Sequence, residues 1–233
     1  MKHIKKNSID STQQYLYDNF DELTSLDHDV LISTNQQTKG VGRRGNKWID
    51  QSNALAFSFT LKAHSKQTLT PLELGALLSL YIENKFNKRI FLKWPNDILT
   101  GKGEKVGGIL CQLKGSTVIA GIGLNLGHSN NVIEICNDRY SVSTVLDSKI
   151  SSDLQHELPQ EIVQFIISNR LDEQTVIKEW KKRCLHIDKP VTIINDSDEV
   201  SGIFKGIGQW GQAVIEIDKE SHEFYSGSLR FSI

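Results

Sequence analysis

The stretch Lys105-Val106-Gly107-Gly108-Ile109-Leu110-Cys111-Gln112-Leu113-Lys114-Gly115-Ser116-Thr117-Val118-Ile119-Ala120-Gly121-Ile122-Gly123-Leu124-Asn125-Leu126 decides how the chain is read. Residues 106–113 and 117–126 are rich in Val, Ile and Leu, and Lys114-Gly115-Ser116 between them has turn chemistry. A β-hairpin at the centre of a sheet is therefore expected. Gly107 and Gly108 in one strand, and Gly121 and Gly123 in the other, stand where side chains should be. Glycine weakens a ladder and often marks the close approach of another group. Here it reads either as room for a flat ligand lying across the hairpin or as close packing between strands.

Working upstream, residues 90–94 read as a strand, and residues 54–61 alternate Leu55, Phe57, Phe59 and Leu61 as another. Residues 30–34 form a third. Ser11-Thr12-Gln13-Gln14 has the pattern of a capping box, opening a helix striped by Tyr15, Leu16, Phe20 and Leu23. Thr70 as N-cap, Pro71 and Glu73 introduce a second helix with Leu74, Leu77, Leu78 and Tyr81, ending near Asn87. Downstream, Pro159 is expected to begin a helix carrying Ile162, Val163, Phe165 and Ile166, and another helical piece carries Val176, Ile177, Trp180 and Cys184. From residue 187 the pattern changes to short strands at 191–194, 200–207, 213–217 and 223–229, which read as a small β-barrel. So short a segment is marginal as an independent core, so it is expected to pack on the larger domain.

With 38% hydrophobic and 24% charged residues, the chain is globular rather than disordered. A net charge of -1 exerts no global pull toward nucleic acid or anionic membranes, so any basic site must be local. The absence of a long apolar run excludes a signal peptide or a membrane-spanning helix, which makes the cytoplasm the expected location. Cys111, Cys136 and Cys184 are odd in number and widely spaced, so they read as buried thiols rather than a disulfide framework or zinc ribbon. The histidines lack metal-binding spacing.

Chemistry concentrates in two further segments. Residues 37–48, Gln37-Thr38-Lys39-Gly40-Val41-Gly42-Arg43-Arg44-Gly45-Asn46-Lys47-Trp48, hold four cations and no acid. Glycines admit backbone N–H groups close to an oxyanion, and arginine pairs bidentately with carboxylate or phosphate. The Walker ending is absent, and the glycine spacing follows no βαβ pattern, so neither nucleotide fingerprint applies. A solvated basic loop and a nucleic-acid contact remain open on this segment alone. Lys93-Trp94-Pro95-Asn96-Asp97 puts a cation, an amide and a carboxylate where a strand ends. Lysine can neutralise phosphate, and Asp97 can hold Mg²⁺ or a ribose hydroxyl, although an ordinary turn has the same composition.

Taken together, in this order and spacing, these segments resemble the catalytic core of biotin protein ligases. The family's Ser-Thr-Asn start corresponds to Ser11-Thr12-Gln13, and its Gly-Arg-Gly-Arg-x-Gly loop to Gly40 through Gly45. Its Lys-Trp-Pro-Asn-Asp falls on Lys93 through Asp97, its Lys-x-x-Gly-Ile-Leu on Lys105 through Leu110, and its Gly-x-Gly-x-Asn on Gly121 through Asn125. Val41 replaces the loop's first arginine and Gln13 replaces asparagine, which bears on loop closure and on the ureido pocket. The resemblance implies an α+β fold. Residues 1–186 would be a catalytic domain with a mixed β-sheet and packing helices, similar to class II aminoacyl-tRNA synthetases, and residues 187–233 an SH3-like barrel.

It further implies ATP-dependent formation of biotinyl-5'-AMP and transfer of biotin to a lysine of a biotin carboxyl carrier protein, with ATP, Mg²⁺ and biotin as the small molecules. By the same analogy Ser11, Thr12, Gln13, Gln37, Gly40, Gly42, Arg43, Lys105, Gly107, Gly108 and Gly123 bind biotin. Arg43, Arg44, Asn46, Trp48, Lys93, Asn96 and Asn125 bind ATP. Arg43, Lys93, Asp97 and Lys105 carry the catalysis, Asp97 orienting Lys93, activating the acceptor amine or meeting Mg²⁺. With ten residues ahead of Ser11, the expectation is the mono-functional class without a DNA-binding domain, with a homodimer left open. Two alternatives are a lipoate ligase of the same superfamily and a non-catalytic nucleic-acid module.

Overall fold

The computed structural model describes residues 1–25, 29–48, 53–128, 141–195 and 198–231; Cys136 lies outside them. The chain forms two compact units, Met1–Ala63 with Glu104–Asn169, and His64–Gly103 with Arg170–Ile233. Among the described residues no helix is long and apolar enough to cross a membrane.

In the first unit, strands β1 (Lys2–Lys6), β2 (Val30–Thr34), β3 (Ala54–Lys62), β6 (Lys105–Lys114) and β7 (Thr117–Asn125) lie in the order β1-β2-β3-β7-β6. β1 is parallel to β2 and the other neighbours are antiparallel, so the sheet is mixed. The quoted stretch is the β6–β7 hairpin. Lys114 pairs with Thr117, which leaves a two-residue turn with Gly115 at φ 61° in place of the three-residue turn expected. β1 carried no sequence signal, because three of its five residues are lysines suited to an exposed sheet margin.

Helices α1 (Thr12–Asp18) and α2 (Phe20–Thr24) break at Asn19. Leu16 and Leu23 are buried against Val30, Ile32 and Ile119. Only half of the expected capping box forms. Ser11 Oγ accepts from the Gln14 amide at 3.3 Å, while the Gln14 side chain turns away to Asp18. Helix α4 (Ser152–Ser168) starts about two turns before Pro159, because Ser151 caps it by accepting from Leu154 N–H at 3.2 Å. Pro159 therefore sits inside the helix, not at its first position.

In the second unit, helix α3 (Thr70–Phe86) ends at Asn87 in the left-handed region, as expected. Its start differs. Thr70 is helical, and its Oγ1 accepts from His64 N–H at 3.1 Å instead of capping. Glu73 is fully buried and bound by Arg170 Nε, Arg170 Nη2 and the Leu171 amide, each at 2.8 Å, so it closes no capping box. Helix α5 (Glu173–Arg183) is capped by Asp172, which accepts from the Thr175 amide and hydroxyl. Those bonds hold the Asp172 carboxyl below the usual range. β4 (Phe91–Lys93) and β5 (Asp97–Leu99) form a short hairpin with Lys93 opposite Asp97.

The C-terminal strands β8 (Pro190–Asn195), β9 (Asp198–Ile207), β10 (Ala213–Ile217), β11 (Glu220–Phe224) and β12 (Ser228–Phe231) make a five-stranded antiparallel sheet, order β11-β10-β9-β8-β12, consistent with an SH3-like domain. Residues 223–229 are thus not one strand, since they divide between β11 and β12. Cys111 and Cys184 are half-buried rather than buried, and desolvation pushes each thiol up to about 12, so neither is a thiolate at neutral pH.

His186 is fully buried, with its ring 4.2 Å from Phe204 and 5.1 Å from Phe231. Burial, then the Lys93 and Lys189 charges, pulls its imidazole from 6.5 down to about 3. Above pH 6.5 it is neutral in both the folded and unfolded states and its contribution is fully present. Below 6.5 the unfolded chain binds a proton that the folded one refuses, so stability should fall by up to about 1.4 kcal/mol per pH unit until pH nears 3. Urea unfolding from pH 7.5 to 4 checks this: His186→Phe should flatten the profile, and equal slopes in both proteins would refute the assignment.

Candidate active site

The candidate residues of the first unit are assembled by short backbone contacts. Thr38 N–H donates to Ile9 O at 2.9 Å and Lys39 N–H to Asp10 O at 2.8 Å, which lays residues 37–39 beside the start of α1. The Asp10 carboxylate reinforces the contact by accepting from Thr38 Oγ1 and Lys39 Nζ, and these bonds lower its pKa. Gln37 is thereby placed against Thr12, and its Oε1 accepts from both the Thr12 amide at 2.9 Å and the Thr12 hydroxyl at 3.2 Å. Ser11, Thr12 and Gln13 are each 3–4% exposed.

The basic loop is a small hairpin. Trp48 N–H donates to Gly40 O at 2.9 Å, Val41 bridges Lys47, and Gly42 N–H donates to Asn46 O at 2.7 Å. Arg43, Arg44 and Gly45 make its tip, with Arg44 and Gly45 at φ 54° and 74°. The tip contains two arginines and no acid. Arg43 is half-exposed, and Arg44 and Asn46 are exposed.

The strand glycines do something other than expected. A Cβ at Gly121 would lie 2.5 Å from Gln13 Oε1 and 3.1 Å from Ser58 Oγ, and one at Gly123 would lie 2.6 Å from the Trp48 indole. Both spaces are filled by the protein's own side chains, so these glycines make room for groups that build the site. The Gln13 amide nitrogen donates to Gln112 Oε1 at 2.8 Å and Ile119 O at 3.0 Å, tying α1 to the β6–β7 hairpin. Gln13 Oε1 and Asn125 Oδ1 are buried without a hydrogen-bond partner among the described residues. Leaving such acceptors unpaired costs about 1–3 kcal/mol each, a cost that a donor from a ligand would remove.

Lys105 and Asn125 end their strands beside one segment. Lys105 N–H donates to Ser141 O and Ser143 N–H to Lys105 O, both at 2.9 Å, while Val145 N–H donates to Asn125 O at 3.0 Å. Lys105 is half-buried and Asn125 is 2% exposed. Gly107 and Gly108 follow Lys105 in β6, opposite Leu124 and Gly123.

Lys93, Asn96 and Asp97 belong to the second unit. Lys93 is 3% exposed, and its ammonium lies 2.6 Å from Asp97 Oδ2, a pairing that the β4–β5 register dictates. Trp94 is buried behind it, with Nε1 donating to Gly211 O at 2.9 Å, which anchors the hairpin to the β9–β10 turn. The 2.6 Å contact fixes the direction of the Lys93 ammonium.

Three participants were missed by motif reading: Ser58, Gln112 and the Ile119 carbonyl. Ser58 sits in an apolar alternating strand, where a lone serine gives little warning. The one available signal was its place, with Ala56 and Thr60, on the face of the strand opposite Leu55, Phe57, Phe59 and Leu61.

The chain is similar to several known proteins. A profile of the Biotin/lipoate A/B protein ligase family matches residues 6–129, more than half of the chain. The Bifunctional ligase/repressor BirA of Salmonella typhimurium is 29% identical over 234 residues, covering 95% of this chain and 71% of that protein. A Biotin--[acetyl-CoA-carboxylase] ligase of Paracoccus denitrificans is 23% identical over 211 residues, 82% of this chain and 85% of that one. Among solved structures, the biotin protein ligase from Aquifex aeolicus in complex with biotin and ATP superposes with a TM-score of 0.80 at 25% identity, covering 99% of both chains.

Proposed function

Because the chain belongs to the Biotin/lipoate A/B protein ligase family, we propose that it is a biotin protein ligase acting in the cytoplasm on biotin carboxyl carrier domains of biotin-dependent carboxylases. The observation that carries this reading is the full-length likeness to a ligase holding biotin and ATP. The polar cluster Thr12–Gln37–Gln13 and the cationic hairpin at residues 40–48 supply the matching chemistry. An oxygen of the biotin carboxylate attacks the α-phosphorus of ATP, the bond to the β-phosphate breaks, and biotinyl-5'-AMP and pyrophosphate result. The ε-amine of the carrier lysine then attacks the acyl carbon, AMP departs, and the amine loses its proton. The enzyme supplies position and charge, not a nucleophile.

Ser11, Thr12, Gln13 and Gln37, with Gly40, Gly42, Gly107, Gly108 and Gly123, are assigned to biotin. Arg43 and Lys105 are assigned to its carboxylate and the α-phosphate. Arg44, Asn46, Trp48, Lys93, Asn96 and Asn125 are assigned to ATP. The 2.6 Å pair supports an orienting role for Asp97 toward Lys93. The same pair makes Asp97 a poor ligand for Mg²⁺, and the described residues contain no group of three His, Cys, Asp or Glu that could hold a metal. Mg²⁺ would then enter with ATP and offset phosphate charge, with Asp97 committed to Lys93. Residues 1–186 are taken as the catalytic domain and residues 187–233 as the appended one.

Biotin-dependent exchange of radiolabelled pyrophosphate into ATP tests the reading, with lipoate as the competing acid. Exchange with lipoate and none with biotin would reverse it. Arg43→Gly should raise biotin labelling of a bystander protein by at least about tenfold, because the hairpin tip loses its bidentate phosphate partner and Val41 supplies no second arginine. Bystander labelling equal to wild type would remove Arg43 from that role.

A further inference from the structure

We propose that Trp94 is a positioning residue for the adenylation step, and that the turn between β9 and β10 is the support through which it sets the direction of the β4–β5 hairpin. The proposal rests on the reading that this hairpin serves ATP. Trp94 stands next to Lys93 in the chain but is 2% exposed, so its indole acts on a ligand only through its neighbours. The indole Nε1–H only donates, and once buried it needs an acceptor. It finds one in Gly211 O at 2.9 Å, 117 residues further along the chain. On the other side of Lys93, Leu185 N–H donates to Leu92 O at 3.3 Å. Lys93 thus lies between two anchors, a backbone contact before it and the indole bond after it.

The acceptor is itself held from several sides. Gly211 N–H donates to Gly208 O and Gly208 N–H to Gln212 O, both at 2.9 Å, which closes the turn. Trp210 N–H donates to Gln212 Oε1 at 2.9 Å, and Thr68 Oγ1 donates to Trp210 O, which ties the turn to the segment that leads into α3. Gly211 has φ 76°, and a Cβ there would lie 2.8 Å from Leu72 Cδ1 and 3.2 Å from Leu69 Cδ2. Glycine is what lets the backbone turn this way and sit so close to both leucines. The Gly211 carbonyl is therefore a fixed acceptor, and all of these groups belong to the second compact unit. Packing keeps the hairpin buried, whereas this bond sets its direction. A displacement of about 1 Å at a residue that holds a substrate is enough to weaken its hold.

The test measures pyrophosphate exchange, and biotin affinity by calorimetry, for wild type, Trp94→Phe, Thr68→Val and the double variant. Trp94→Phe keeps a buried ring and loses the N–H. It should raise the ATP KM about fivefold, the size of one lost hydrogen bond, with kcat and biotin affinity within about twofold of wild type. Thr68→Val releases the turn from the α3 side and should raise the ATP KM about threefold. The double variant should match Trp94→Phe, because once the indole bond is cut the turn no longer acts on the hairpin. An unchanged ATP KM in Trp94→Phe, an effect confined to kcat, a loss of biotin affinity as large as the rise in ATP KM, or additive effects in the double variant would each overturn the proposal. Should Trp94→Phe fail to fold, Thr68→Val alone provides the reading, and an ATP KM equal to wild type there overturns the proposal. A wild type that exchanges with neither biotin nor lipoate overturns the reading of the site and this proposal with it, whereas normal wild-type exchange with unaffected variants overturns this proposal alone.

Discussion

Lys105→Ala is expected to lower biotin-dependent pyrophosphate exchange by about two to three orders of magnitude while leaving the unfolding midpoint within about a degree of wild type. Lys105 is half-buried at the first position of β6, and its backbone is held on both sides by Ser141 and Ser143, so its ammonium leaves from a rigid base. Charge-assisted bonds to a partly desolvated carboxylate and phosphate contribute about 2–4 kcal/mol to a transition state in which charge builds at phosphorus. The backbone contacts survive truncation of the side chain, which is why stability should not follow activity. Exchange at the wild-type rate would show that Lys105 merely flanks the hairpin.

Glu73→Ala should act in the opposite sense, costing about 3 kcal/mol of stability. Its carboxylate has no exposed surface and accepts three hydrogen bonds from the segment that leads into α5. Removing it strands the Leu171 amide and takes two hydrogen bonds from Arg170, although Arg170, at 27% exposed, recovers some hydration and so limits the loss. A urea titration would show the midpoint shift. A shift below about 0.5 kcal/mol would mean that the interaction is replaceable by water. Because Glu73 has no assigned role in ligand binding, exchange activity per folded molecule should remain near wild type.

The site was legible where chemistry and spacing travel together in the chain. Lys93 and Asp97 are four residues apart and meet because a tight β4–β5 hairpin leaves them opposite each other. The Gly40 to Trp48 loop announced itself by charge and glycine content, and its tip does present Arg43 and Arg44. The role of the strand glycines was not legible. Gly121 and Gly123 signalled a close approach, but the chain could not say that Gln13, Ser58 and Trp48 were the groups approaching. The same limit explains Thr70 and Glu73, whose spacing is that of a capping box. Arg170 lies 97 residues away, and its guanidinium together with the Leu171 amide outcompetes the local backbone for the carboxylate.

What the sequence determined by itself was the hairpin at residues 105–126, the main helices and strands, the cationic loop and the family resemblance, because apolar periodicity, turn residues and clustered charge are local properties. Only the tertiary structure decided that β1 joins β2, that Pro159 lies within a helix, and that Gln37 turns its oxygen toward Thr12. It also decided that Ser58, 46 residues from Thr12, completes their hydrogen bonds. The reason is that a hydrogen bond needs its partners within about 3 Å. Strand register and helix docking, not the spacing of residues along the chain, set that distance for groups so far apart in sequence.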